Sequence, residues 1–529
     1  MSADEAKNLD YQPLGVSKNG DQTTLKPLQQ KSKKKFPTKN LSNPNKKTEK
    51  NLSEVVSEIK ETVRTENVFA STDGVKPEAE ISYSEQLKKK KKKKKVEKDQ
   101  KLLSNDRWLN RNGHNLTYIG IFLFTFVLYF RPYELITGLS GLSSIAFIIA
   151  IATLIIYLPT QISSEGSLTI LSTEVKCILF ITFWALLTMP LAKSPGTAWE
   201  TFSDTFYKVV LIFIVMVNTL RTPARLKGLM WLSLGISVML SYQAVVLYQA
   251  GEFAAEGYHR VIVNYGGMFG NPNDLAMHLI IATPIAFAFG MAAKKISSRI
   301  LYFGITFLLV IGNMVTQSRG AFLALIAVSA LLVWKLGKKQ RFKVVLISLV
   351  VGILFIAVAP GDYGIRILSI FIPSLDPVGS SDQRKELLQI SLLVTLRNPW
   401  GIGFGNFPIV GVRNLQTHNA YTQVSSELGV LAFACYVIFI VSPLRKLAAI
   451  ERQLFANKET NWLYYMAIGV QGSIVAYMVA SFFGAVAYNW FLYYPIAYAV
   501  CLRRIYRASQ LEKGIEVEGE KRLSNYFKV

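Results

Sequence analysis

The chain has 529 residues, 51% of them hydrophobic, and 59 Lys and Arg against 35 Asp and Glu, for a net charge of +24. Several apolar runs reach the roughly 20 residues that cross a bilayer, which excludes an ordinary soluble fold. Cys177, Cys435 and Cys501 all fall in apolar stretches. They form neither a disulfide framework nor a metal-ligand spacing and read as small packing residues.

Residues 1 to about 115 are rich in Lys, Ser, Asn and Glu and poor in aromatics. Such a tail cannot bury enough apolar surface to fold and is expected to be disordered. Because it is polar, no cleavable signal peptide is visible, and insertion falls to the first internal span. The unbroken lysine run Lys88–Lys95 fits an electrostatic contact with anionic lipid or nucleic acid. A solvated cytoplasmic tail that fixes orientation is the favoured reading, since no aromatics are interleaved for base stacking, and no nucleic-acid partner is expected.

Length and flanking charge then predict an all-α integral membrane protein with about twelve spans, near 117–137, 139–159, 174–192, 206–220, 226–250, 274–292, 300–316, 320–336, 343–360, 420–443, 461–484 and 486–502. Alternation from a cytoplasmic tail puts every short, strongly basic loop on one side: Arg221, Arg225 and Lys227; Lys294, Lys295 and Arg299; Lys335 to Lys343; Arg445, Lys446 and Arg452; Arg503, Arg504 and Arg507. That is the positive-inside pattern. It places both termini, including a C-terminal tail over 506–529, in the cytoplasm, with a membrane domain over 116–505. The segments 251–273, 317–319 and the large loop 361–419 then lie outside.

The outer segments carry isolated arginines, Arg260, Arg319, Arg366, Arg384, Arg397 and Arg413. Any one of them singly reads first as a salt-bridge partner of Asp362, Asp376, Asp382 or Glu386, but as a set, against the positive-inside trend, they suit bidentate anion binding. Arg319 sits in a tight turn, Ser318-Arg319-Gly320, at the lipid–water boundary. Gly270-Asn271-Pro272-Asn273-Asp274 opens the sixth span, with Asn273 or Asp274 as the expected cap and Pro272 just ahead. A cap at Ser380-Ser381-Asp382 starts an amphipathic surface helix to about Leu396, with Leu387, Leu388, Ile390 and Leu392 among its apolar positions, presenting Arg384. It ends at Asn398-Pro399, and Gly401, Gly403 and Gly405 follow as a turn.

His418 closes the large loop where the chain re-enters the membrane. A group that takes up a proton near neutral pH, beside cations at a membrane surface, suggests chemistry on an anionic, lipid-borne substrate; a cap or interface histidine fits equally well. Helical spacing puts Tyr421, Thr422 and Ser425 on its face and Glu427 on the opposite one, as a buried partner. His114, His259 and His278 read as structural or interfacial. No GxxxxGK[ST] loop, Asp-x-Asp pair or histidine cluster is present, so neither ATP nor a catalytic metal is expected.

Four motifs, in order and spacing, resemble the O-antigen ligase and polymerase family: Gly270-Asn271-Pro272-Asn273-Asp274; Ser318-Arg319-Gly320-Ala321; Arg384 followed by Asn398-Pro399-Trp400-Gly401-Ile402-Gly403-Phe404-Gly405-Asn406-Phe407; and His418-Asn419 followed by Glu427-Leu428-Gly429. Arg131-Pro132-Tyr133-Glu134 looks like a variant seen in exopolysaccharide relatives. The resemblance covers roughly residues 118 to 505. It implies a metal-independent, cofactor-free, inverting glycosyltransferase in the bacterial inner membrane, moving a glycan from an undecaprenyl-pyrophosphate carrier to a glycan, lipid or protein acceptor, alongside polysaccharide assembly proteins. His418 would match the family's base or acceptor-positioning histidine, and Arg319 and Arg384 its pyrophosphate-holding arginines. Arg260 lies in the right loop without the expected spacing around it. Asn273 and Asn419 are further candidates for substrate contact, with Asp274 and Glu427 in support. A polysaccharide polymerase of the same family is the alternative. A lipid-glycan flippase ranks behind both, because charge sits mainly in outer loops rather than deep in several spans.

Overall fold

A bilayer offers no hydrogen-bond partner to the backbone, so apolar runs of this length must close their own hydrogen bonds as helices. The computed structural model shows this outcome. It describes residues 108–135, 144–253, 259–263, 269–337, 363–370 and 380–512, with single positions at 342, 346, 372 and 374. All lie in the unit Leu87–Val529. The expected tail with its lysine run, the expected span at 343–360 apart from position 346, most of 371–379 in the large loop and the last residues of the chain fall outside the described residues.

Every regular element among the described residues is helical. In chain order these are α1 (Trp108–Phe130), α2 (Pro132–Leu135), α3 (Ile145–Glu165), α4 (Thr173–Thr188), α5 (Pro195–Thr201), α6 (Tyr207–Thr219), α7 (Pro223–Ala250), α8 (Pro272–Ala292), α9 (Ile296–Val315), α10 (Arg319–Leu336), α11 (Tyr363–Leu368), α12 (Ser380–Arg397), α13 (Phe407–Val410), α14 (Ala420–Ala456), α15 (Trp462–Ala480) and α16 (Trp490–Glu512). Nine of them, α1, α3, α4, α7, α8, α9, α10, α14 and α15, are long and apolar enough to cross a membrane. The expected spans at 206–220 and 486–502 are helices that fall short. The first, α6, continues α5 without a break through the π-helical turn Phe202–Phe206, so that one helix runs from Pro195 to Thr219; neither it nor α16 meets the same standard of apolar length. Boundaries also move. The first span ends at Phe130 rather than near 137, because Arg131 turns left-handed (φ 46°) ahead of Pro132. The second runs over α3, several residues later than the spacing suggests. Helix α14 continues well past 443.

Local chemistry sets the helix starts. Ser172, Thr222, Asn271 and Asn461 each accept a backbone N–H of the first turn, and Pro223 and Pro272 begin their helices where a missing N–H costs nothing. The cap of α8 is therefore Asn271 rather than Asn273 or Asp274, which leaves both of those side chains available for other contacts.

Burial sorts the bundle. The apolar stretch of α8 is 83% buried within the protein and that of α15 72%, whereas that of α3 is only 17% buried. Helices α8 and α15 are thus the central pair. The outward face of α3 shows Ile148, Ile155 and Ile162 at seven-residue spacing, as a lipid-facing stripe would. One end of the bundle is stitched by buried ion pairs. Arg221 and Arg504 meet Glu165 at 2.9 and 3.5 Å, Lys446 and Arg503 meet Glu174 at 2.9 and 3.2 Å, and Lys335 pairs with Glu451. Basic residues that the charge rule assigned to one side therefore converge at one end. The candidate site lies at the other.

Candidate functional site

Helix α14 is broken inside its apolar stretch, and the break organises the site. Gly429 adopts φ 80° and ψ −178°, so the helical hydrogen bonds around it cannot form. The glycine-rich segment after α12 supplies replacements. Ile402 N donates to Ser426 O at 3.0 Å, Gly403 N to Glu427 O at 2.9 Å, and Val430 N to Pro399 O at 2.9 Å. The Trp184 indole donates to Leu428 O at 2.8 Å. The carbonyls freed by the break are thereby satisfied, as a low-dielectric interior demands. Gly401 and Gly429 are required by this close approach. A Cβ on Gly401 would stand 2.3 Å from Glu427 O, and one on Gly429 2.3 Å from Pro399 O.

Glu427 is fully buried and fastens the same segment, accepting Gly405 N at 3.0 Å and Phe407 N at 3.4 Å. It points to the loop backbone, where it acts as a brace. Phe404 stacks on Tyr488 with ring centroids 4.1 Å apart. Helix α12 lies over this platform, with Leu387 buried against Ile402 and Phe407 and with Ile390 and Val394 alongside. Thr395 and Ser425 hydroxyls meet at 2.9 Å, tying α12 to α14. The amphipathic helix predicted there exists, but its apolar face is divided: Leu388 and Leu392 point away from the platform and are exposed.

His418 precedes the helix instead of sharing its periodicity. It is left-handed (φ 50°), and Asn419 caps α14 by accepting Tyr421 N at 2.9 Å and Thr422 N at 3.1 Å. The carboxamide oxygen of Asn419 is thus committed to the backbone. The His418 side chain is half-buried, and among the described residues its ring has no hydrogen-bond partner. Burial and, after it, the charge of Arg384 hold its imidazole below the ordinary histidine range. Arg384 and His418, 34 positions apart in sequence, are therefore electrostatic neighbours.

The second half of the site is the turn between α9 and α10. Arg260 donates to Thr316 O at 3.2 Å and to Asn273 Oδ1 at 2.9 Å, and Ser318 donates its hydroxyl to the same oxygen at 3.1 Å. Arg319 donates to Ser369 Oγ at 2.9 Å, and Ser369 in turn donates to Arg366 O. Tyr363 and Ile367 of α11 pack on Met314 and Phe322, beside this turn. Asp274 stands half-buried in the first turn of α8. The Ser481–Phe483 turn lies between the two halves. Phe482 packs on Tyr421 with ring centroids 4.6 Å apart, and Phe483 fills the space left by the missing side chain of Gly320.

The predicted outer arginines therefore divide. Arg260 and Arg319 are buried in this network and Arg384 accompanies His418, whereas Arg397 and Arg413 are exposed. Asp382 pairs with Lys385 at 3.1 Å. Of the remaining histidines, His278 Nε2 lies 3.0 Å from Ser237 Oγ, His114 Nε2 lies 3.2 Å from Ser164 Oγ, and His259 packs edge-on against Phe253. Among the described residues no group of three or more His, Cys, Asp or Glu could hold a metal ion. Two residues escaped the sequence reading. Trp184 offered only the faint signal of an indole inside a span. Gln317 was passed over beside the more conspicuous Arg319.

Residues 304–437, 134 of the 529, match a family model described as O-antigen ligase. The match runs from α9 through the His418 element and the broken part of α14. No curated protein matches the chain.

Proposed function

We propose that this chain, whose O-antigen ligase-like segment marks it as a multi-pass membrane protein of surface polysaccharide biosynthesis, is an inverting glycosyltransferase. It moves a glycan from an undecaprenyl-pyrophosphate carrier to an acceptor hydroxyl on the outer face of the bacterial inner membrane. The observation that carries this reading is His418. Burial and the nearby charge of Arg384 lower the pKa of its imidazole, which favours the neutral form, and among the described residues no hydrogen bond occupies its ring.

The acceptor O–H gives its proton to neutral His418 as its oxygen bonds to the anomeric carbon. The bond from that carbon to the pyrophosphate oxygen breaks, and the pyrophosphate leaves with the electron pair. Displacement from the opposite side inverts the configuration. Charge grows on the leaving group, where preorganised guanidiniums stabilise it. We assign this role to Arg319 and Arg384, with Arg260, held by Asn273, as a third cation; the ordered hydrogen bonds of Arg319 and Arg260 support the reading. Glu427 supports the chemistry indirectly by fastening the loop beneath α12.

Glycan analysis of a deletion strain tests the reading. Long chains retained on the lipid carrier identify a ligase. Single repeat units without a ladder identify a polymerase using the same donor. Unchanged surface glycans and an unchanged lipid-linked pool would overturn the proposal.

A further inference from the structure

We infer that Gln317 is a specificity residue that hydrogen-bonds the donor sugar next to the pyrophosphate; the inference rests on the function proposed above. Gln317 is fully buried, yet neither its Oε1 nor its Nε2 has a hydrogen-bond partner. Folded proteins seldom leave both ends of a buried carboxamide unsatisfied, so the pair calls for an explanation such as a water, an ion or a functional contact. The residue is also left-handed (φ 51°), a conformation a glycine would adopt more readily.

Its neighbours all belong to the site. Thr316 receives Arg260, Ser318 joins Asn273, and Arg319 follows in the chain. Gln317 is the one polar side chain of this turn with nothing to hold. An amide presents a donor and an acceptor together. A pyrophosphate offers only acceptors and would leave Oε1 unpaired. A sugar hydroxyl or acetamido group offers both and completes the pair. The arginines therefore take the charged carrier, and Gln317 reads the sugar attached to it. Because the side chain is fully covered in this structure, donor binding at Gln317 requires the turn to open.

The test uses the full chain reconstituted in lipid nanodiscs, with lipid-linked glycan extracted from the deletion strain as donor and sugar-free undecaprenyl pyrophosphate as competitor. Gln317→Leu is expected to raise the KM for the glycan donor about tenfold while leaving the inhibition constant of undecaprenyl pyrophosphate unchanged. That unchanged constant also reports an intact fold. Should the leucine variant fail to accumulate, Gln317→Met is measured in the same way. A KM equal to wild type means a structural glutamine and overturns the inference. A parallel rise in both constants means a pyrophosphate contact and overturns it as well. If undecaprenyl pyrophosphate does not inhibit the wild-type protein at all, the proposed donor is wrong and the inference falls with it.

Discussion

Arg260 and Asn273 are joined at 2.9 Å through a single carboxamide oxygen, which also takes the Ser318 hydroxyl at 3.1 Å. One neutral side chain at the start of α8 thus positions a buried cation from one loop and a hydroxyl from another. Neutrality matters, because a carboxylate there would hold the arginine equally well and cancel its charge. Asn273→Asp is expected to lower kcat/KM for lipid-linked donor at least tenfold, as loss of a charge-assisted contact of about 1.5–3 kcal/mol requires. Steady-state kinetics with reconstituted protein measures this. A donor dependence equal to wild type would remove Arg260 from the binding site.

His418→Ala is expected to lower kcat about 10²–10⁴-fold without changing the amount of inserted protein. The pH profile gives a sharper test. The imidazole acts in its neutral form, so kcat/KM rises with pH through the pKa of His418 and is flat above it. Burial and Arg384 lower that pKa, so the acid limb lies below 6.5. Bound pyrophosphate opposes the charge of Arg384, so the limb in kcat lies at higher pH than the limb in kcat/KM. An acid limb that survives in His418→Ala would assign the titration to another group.

The break in α14 predicts sensitivity at residues that touch no substrate. Gly429→Ala forces a Cβ to within 2.3 Å of Pro399 O in a backbone conformation that L residues rarely adopt. The protein is expected not to accumulate in the membrane. Glu427→Gln presents one acceptor where two N–H groups need one, at a cost of about 1–3 kcal/mol. Thermal unfolding in detergent is expected to show the loss, and activity is expected to fall with it as the Asn398–Phe407 segment shifts. An unaltered melting temperature would mean that Glu427 does not brace the loop.

Orientation is open to direct measurement. A reporter inserted at Arg413, which is exposed, is expected to report the periplasmic side, and one fused after residue 529 the cytoplasmic side. A cytoplasmic signal at Arg413 would end the proposed reaction, since the His418 end of the bundle would face the wrong compartment.

Much of the molecule is legible in its sequence for simple reasons. Apolar length and basic flanks act locally and survive any arrangement of neighbours, so the helical character and the gathering of Arg221, Lys446, Arg503 and Arg504 at one end could be anticipated. Ordered motifs likewise pointed to His418, Arg319 and the glycine-rich segment as candidates. Helix caps were less secure, because Asn271, Asn273 and Asp274 all have the chemistry to cap α8 and only the backbone geometry chooses Asn271.

The sequence alone determined that this chain inserts in membranes as helices and carries one long arginine-rich loop with a histidine at its end. Only the tertiary structure decided what the motifs do together. Gly401, Gly405 and Gly429 look like separate turns until the break in α14 leaves its carbonyls without partners, and the distant loop and Trp184 supply them. The influence of Arg384 on His418, the use of Asn273 as the anchor of Arg260, and the burial of the unpartnered Gln317 amide all depend on segments remote in sequence. No periodicity encodes them, because a hydrogen bond depends on where two groups meet in space, and that is set by how the whole bundle packs.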